Sequence, residues 1–217
     1  MQRFVLCVIA IAAWLGDPQP SWSQGTIVFR QPTTPILLWN QGFDQFLPFD
    51  LDEDGSHELT FVYNFQSIGV RNDNGARSLS FVNPPPDSYA DPQPLPAGFL
   101  IGPDSGSGQV QWFGSYPPPI NFNTLVFVVN IGTSGQFAGQ HAYMGVEFQR
   151  GGATHYGWML LQISSDAAIG QIESWAWDTR PGAAIFAGAV PEPSTWMLLA
   201  LGGAFMFWQS RQSVRAL

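Results

Sequence analysis

Ten consecutive residues carry the sharpest chemistry in this chain: Asp50-Leu51-Asp52-Glu53-Asp54-Gly55-Ser56-His57-Glu58-Leu59. Carboxylates alternate, a glycine follows, and a further carboxylate stands at the ninth place. Alternation lets Asp50, Asp52 and Asp54 converge on one centre, Gly55 permits the sharp turn, and the Ser56 carbonyl and Glu58 complete an oxygen shell. Such a shell suits a hard cation. Ca²⁺ is the natural occupant because it accepts about 6 to 8 oxygens at about 2.3–2.6 Å in a forgiving geometry. An EF-hand is excluded, since its twelfth position would be Phe61 and the following residues alternate like a strand. The competing reading is a solvated acidic turn without metal. Five carboxylates within nine residues repel one another at neutral pH, which favours the cation. Extracellular sites of this sort bind with dissociation constants of about 10⁻⁴–10⁻³ M, so the expected role is structural.

Other chemistry is weaker. His57-Glu58-Leu59-Thr60-Phe61 begins like a zinc-protease motif but lacks its second histidine. His141 and His155 flank a hairpin centred near Gly151 and Gly152, which places His155 opposite Phe148 and keeps the two imidazoles about 23 Å apart at about 3.3 Å per residue. They cannot share a metal. A glycosidase needs two carboxylates about 5–9.5 Å apart, and Glu147 and Glu173 on expected strands form the best pair, although nothing in their spacing brings them together. Trp175 and Trp177 share one strand face, so they are buried together or displayed together, and displayed rings could stack on sugars. Trp112 and Trp158 belong to the same pool of aromatics, most of which are expected in the core.

The elements that must position these residues read as strands. Apolar or alternating runs at 26–29, 36–39, 59–65, 78–82, 99–101, 110–113, 125–129, 142–148, 156–163 and 172–177 are separated by turn residues, the pattern of an all-β, jelly-roll-like sandwich. Leu125–Val129 is apolar on both faces, which places it inside a sheet. Asn72-Asp73-Asn74-Gly75 signals a hairpin turn, and Arg150-Gly151-Gly152 another. Asn83–Pro96 holds six prolines and is expected to cross between the sheets, with Pro117-Pro118-Pro119 a second break. No segment before Trp196 has helical periodicity.

The chain has 217 residues, a net charge of −8 and 11% charged residues, and all eight basic residues are Arg. Nucleic-acid binding is excluded by that balance. The single cysteine, Cys7, excludes a disulfide framework and multi-cysteine metal sites. Met1–Arg3, an uncharged run from Phe4 to Leu15, helix-breaking Pro18 and Pro20, and Ser21-Trp22-Ser23 make a signal peptide for signal peptidase, with cleavage after Ser23. At the other end Pro191-Glu192-Pro193 precedes thirteen uncharged residues, Trp196–Trp208, and then Arg211 and Arg215. Thirteen helical residues span about 20 Å against a hydrocarbon core of about 30 Å, a gap that Arg211 snorkelling and tolerated Ser194 and Thr195 close. Arginines on the cytoplasmic side place the preceding domain outside. Residues 24–189 then form the exported domain, with a net charge of −9, and an acidic polysaccharide would need a bridging cation to bind it.

Residues 190–217 resemble the PEP-CTERM sorting signal: a Pro-Glu-Pro box, a transmembrane stretch and a basic tail, in that order. The resemblance implies recognition of Pro191, Glu192 and Pro193 by exosortase, a membrane-embedded cysteine protease, and sorting to the cell surface or exopolysaccharide matrix. The Asp50–Leu59 turn together with His155-Tyr156-Gly157-Trp158 is similar to a recurrent group of PEP-CTERM proteins that pairs a D-x-D-x-D-G turn with an H-Y-G-W strand. That likeness supplies no catalytic residue. The leading expectation is an exported, calcium-stabilised structural or interaction protein. A carbohydrate-binding module is the alternative, and a glycoside-processing enzyme the second alternative.

Overall fold

Period-two alternation broken by Gly and Pro leaves one way to bury so many apolar side chains: strands paired into sheets, and sheets laid face to face. A computed structural model describes residues 27–191 apart from 40–42, 65, 83–89, 115–122 and 130–131, and every regular element among them is a strand. In chain order the strands are β1 (Ile27–Arg30), β2 (Ile36–Trp39), β3 (Gln45–Phe49), β4 (Leu59–Tyr63), β5 (Ser67–Asn72), β6 (Arg77–Val82), β7 (Ala90–Pro92) and β8 (Leu100–Ile101). There follow β9 (Val110–Phe113), β10 (Asn123–Val129), β11 (Gly132–Ser134), β12 (His141–Arg150), β13 (Ala153–Ile163), β14 (Ile169–Asp178) and β15 (Ile185–Phe186).

A larger sheet of eight strands runs β1-β14-β13-β12-β6-β7, with β2 also on β14 and β9 also on β6. The smaller sheet has five strands in the order β11-β10-β5-β4-β3, and β8 with β15 makes a two-stranded ladder. Between the two main sheets lies the principal core, which includes Leu51, Phe61, Val70, Leu125, Met144, Phe148, Leu161 and Trp177. On the other face of the larger sheet Leu79, Leu95, Ile101, Tyr156, Trp158 and Ile185 form a second core. Part of the larger sheet is therefore covered on both sides, and Trp158 sits there with its ring edge-on to Tyr143 at 5.1 Å.

All ten strand segments expected from the sequence are present, and Leu125 falls in β10, inside its sheet. The β12–β13 hairpin pairs Phe148 with His155 and His141 with Gln162, which keeps the two histidines seven residues apart along the ladder. Two connections differ from expectation. Asn72–Gly75 does not join a hairpin, because β5 belongs to the smaller sheet and β6 to the larger. The tight turn itself is there: Asn74 and Gly75 take φ of +48° and +79°, and the Ala76 amide donates to the Asp73 carbonyl at 2.8 Å. Closing that turn demands positive φ, not that its flanks pair, so the same residues can build a corner between sheets. The proline-rich stretch does not change sheets either, since β7 pairs with β6 on the edge of the larger sheet. An edge strand tolerates Pro92 because one side of its ladder is unused. Pro117–Pro119 lie outside the described residues.

Asp91, in β7, is 6% exposed. Burial pushes its carboxyl up to about 6, against a backbone hydrogen bond from Thr124. A carboxyl raised on folding holds its proton more tightly in the native state. Its contribution to stability is present below the unfolded value near 3.8 and is lost as pH rises through about 6. Asp91→Asn should therefore flatten the fall in unfolding midpoint between pH 4 and 7 that the parent shows, as read by thermal unfolding across that range.

Candidate functional site

The acidic residues are brought together by the hairpin beneath them. Phe49 at the end of β3 pairs with Leu59 at the start of β4, and the Glu58 amide donates to the Phe49 carbonyl at 3.1 Å. Asp50 and Glu58 thus leave neighbouring points, and the loop between them must fold over its own base. Leu51 is fully buried in the principal core, so the loop cannot swing outward. Its amide donates to Glu58 Oε2 at 2.8 Å, and its carbonyl accepts the Trp175 indole N–H at 3.1 Å. Trp175 also meets Phe49 edge-on at 4.8 Å, tying the loop base to β14 of the larger sheet.

With the base fixed, the backbone turns inward through Glu53 at φ +62° and Gly55 at φ +93°, the latter a conformation glycine adopts without strain. Asp50 accepts from the Asp54 and Gly55 amides at 3.2 and 2.8 Å, Asp52 from the Asp54 amide at 3.2 Å, and Asp54 from the Ser56 amide at 2.8 Å. One carboxylate oxygen from each of Asp50, Asp52, Asp54 and Glu58 lies within 4.8 Å of the others. Glu53 points elsewhere, its two oxygens each 2.7 Å from the Arg30 guanidinium. Ser56 stands beside the cluster with its hydroxyl held by Asn74 Nδ2 at 2.9 Å, and the same amide group holds the His57 carbonyl.

The cluster is electrostatically unsatisfied. Asp52 Oδ2 is buried and makes no hydrogen bond. The Arg150 Nε lies 3.1 Å from it, a close charge contact without hydrogen-bond alignment. Burial pushes the Asp52 carboxyl up, the Asp54 charge adds to that, and Arg150 opposes it. Burial likewise lifts Glu58 to about 7, against its hydrogen bond from Leu51 and with help from the Asp52 and Asp50 charges. One arginine cannot balance four convergent carboxylates. A buried carboxylate oxygen without a partner is costly, and a cation at the centre would relieve both deficits.

The remaining candidates do not form a site. Trp177 is 2% exposed and Trp175 packs against the same core, so the shared face of the two rings is the inward one. The predicted coupling of the pair holds. Neither ring lies open on the surface, and Trp175 acts instead as the loop's anchor. Glu147 is buried and paired with Arg77, with Nε at 2.7 Å, whereas Glu173 meets His141 at 3.0 Å. Glu147 lies opposite Tyr156 and Glu173 sits in a bulge opposite Leu160 and Leu161 on the next ladder. Four to five residues along the strands and two strand spacings separate the carboxylates, about 15 Å in the strand direction alone.

Residues 189–212 match the family model for the PEP-CTERM protein-sorting motif. The chain carries that motif, which marks an exosortase-sorted protein of the cell exterior that is membrane-associated before processing. Curated proteins and solved structures give no match. Of the box, Pro191 is described and exposed, while Glu192, Pro193, Arg211, Arg215 and the apolar run 196–208 lie outside the described residues, as does the expected signal peptide at 1–23. Among the described residues no helix is long and apolar enough to cross a membrane.

Three contributors escaped the sequence. Trp175, Arg150 and Arg30 lie far from the loop in the chain, and no local spacing announces them. Leu51 was the readable hint, since an apolar residue between two aspartates has to be buried if the loop is ordered. Trp175→Phe keeps the aromatic contact with Phe49 but leaves the Leu51 carbonyl without its donor. It should lower the unfolding free energy by about 1–3 kcal/mol in a urea titration, and an unchanged midpoint would refute the anchoring role.

Proposed function

We propose that this chain is an exported protein of the cell surface or exopolysaccharide matrix, with a structural or interaction role, whose β-sandwich is stabilised by calcium. The sorting motif at 189–212 is the observation that carries the placement. In this reading residues 1–23 direct export and are removed by signal peptidase. Residues 196–208 hold the chain in the membrane with Arg211 and Arg215 on the cytoplasmic side, and exosortase reads Pro191-Glu192-Pro193. The geometry near the box supports access by such an enzyme. The Ala189 amide makes a turn back to Phe186 at 2.9 Å, Val190 is 46% exposed and Pro191 is exposed, so the box begins just past the last backbone hydrogen bond among the described residues.

Calcium is supported by the donor set. One oxygen from each of four carboxylates lies within 4.8 Å of the others, close enough for all four to reach a single cation, and Ca²⁺ accepts such an oxygen-rich shell in a forgiving geometry. Mg²⁺, which demands near-ideal octahedral geometry and sheds its waters reluctantly, suits a cage of protein carboxylates less well. Asp50, Asp52, Asp54 and Glu58 supply the charge and the Ser56 carbonyl a neutral ligand. Bound cation would hold β3, β4 and the edge of the larger sheet at one point. Catalysis has no part in this reading, in keeping with the separate engagement of Glu147 and Glu173.

Deleting residues 190–217 tests the placement. The truncated protein should appear in the culture medium, and the full chain in the envelope or matrix fraction, when both are followed by immunoblotting of fractions. Identical distribution of the two would contradict the sorting role.

A further inference from the structure

Among the described residues, the outer face of the larger sheet is covered over one half only. There Leu95, Ile101 and Ile185 close over Tyr156 and Trp158. Towards the other end of the same face the alternation continues but the cover stops. Register places Leu37, Gln171, Gln162 and His141 in one row across β2, β14, β13 and β12, with Trp39 and Ile169 paired beside it. These are the side chains opposite to Leu38, Ile172, Leu161 and Ala142, which face the principal core. Trp39 is 58%, Leu37 51% and Ile169 45% exposed. A cleft of about 440 Å³ lies among Gln140, His141, Gln162, Ser164, Ile169 and Gln171. A second, of about 480 Å³, adjoins it through Gln140 and His141 and reaches Pro94, Pro96 and Tyr143.

The chemistry of this surface is selective. The row crosses three strand spacings, about 14 Å, room for an oligomer rather than a single ring. An exposed indole offers a flat apolar face with little conformational freedom to lose. The side-chain amides of Gln140, Gln162 and Gln171 each donate and accept, as hydroxyls do, and none of the three is engaged by another described side chain or backbone group. No Arg lines either cleft, and the His141 ring is already engaged by Glu173, with Nε2 and Oε2 3.0 Å apart. In a chain of net charge −8, a polyanion would be repelled and would find no cationic contact. A pyranose chain has apolar C–H faces and hydroxyl edges without charge, and matches an indole flanked by neutral amides.

We propose that Trp39 and the amides of Gln140, Gln162 and Gln171, set on the bare half of the larger sheet, form a binding site for a neutral polysaccharide. This deepens the surface role proposed above and rests on it only for where the glycan would be met, because binding to the purified chain is measured independently of sorting. The test is isothermal titration calorimetry of the full chain, in a non-glycosidic detergent, with cellohexaose, xylohexaose and mannohexaose, and with polygalacturonate as the anionic probe. At least one neutral hexaose should saturate the protein. Trp39→Ala should weaken that binding at least tenfold, Gln162→Ala/Gln171→Ala should weaken it in the same direction, and Phe46→Ala, an exposed aromatic on the smaller sheet, should leave it unchanged. The proposal is overturned by folded protein that binds none of the three, by Trp39→Ala protein that binds as before, or by preference for polygalacturonate. A dimer that Trp39→Ala dissociates would overturn it as well, showing that a second copy occupies the face. Unaltered export of a chain that binds no glycan would separate failure of this site from failure of the sorting role.

Discussion

Leu51 is held on three sides: its side chain is buried in the principal core, its amide is bound by Glu58 and its carbonyl by Trp175. A leucine flanked by two aspartates can reach the core only if those aspartates turn the other way, towards the inside of the loop. Burial of one apolar side chain, worth about 1.5–3 kcal/mol, thus fixes where the carboxylates must go. Convergence of like charges follows from packing rather than opposing it. The electrostatic cost is visible in the raised Asp52 and Glu58 carboxyls, and Arg150 at the tip of the β12–β13 hairpin offsets part of it.

The same residue links the two sheets. Phe49 and Leu59 belong to the smaller sheet, Trp175 and Arg150 to the larger, and all of them meet at the loop. A ligand held there would report on the docking of the sandwich as a whole, which suits a protein of the cell exterior whose single cysteine can form no internal disulfide. The opposite face of the larger sheet has the reverse character. It carries no convergent charge, and its uncovered end displays Trp39 among neutral amides. One sheet therefore separates a charged, core-anchored loop on its inner side from an open, neutral platform on its outer side.

Much of this architecture was legible because period two leaves a strong imprint on buried strands. The hairpin of β12 and β13 could be read to the residue, Phe148 opposite His155, since paired glycines mark its turn. β3 and β5 were not legible: Pro48 argues against a strand until its edge position is known, and Ser67–Asn72 offers only Ile68 and Val70 between polar or small neighbours. Parity tells which residues share a face but not which face is covered. Trp175 and Trp177 were correctly coupled, yet only the second sheet decides that they point inward. At the loop, spacing gave the convergence of Asp50, Asp52, Asp54 and Glu58. The outward turn of Glu53 depends on Arg30, twenty-three residues away, and has no local signature.

The most direct test of the account is thermal unfolding of the exported domain in calcium and in chelator, alongside an Asp52→Asn/Asp54→Asn variant. A ligand that binds only the native state raises the midpoint with its concentration, by about 2.7 kcal/mol of stability at a hundred times its dissociation constant. The parent should show that calcium-dependent rise, and the variant should not. Equal midpoints for the parent in calcium and in chelator would contradict the account and reduce the loop to an acidic turn held by its protein contacts alone.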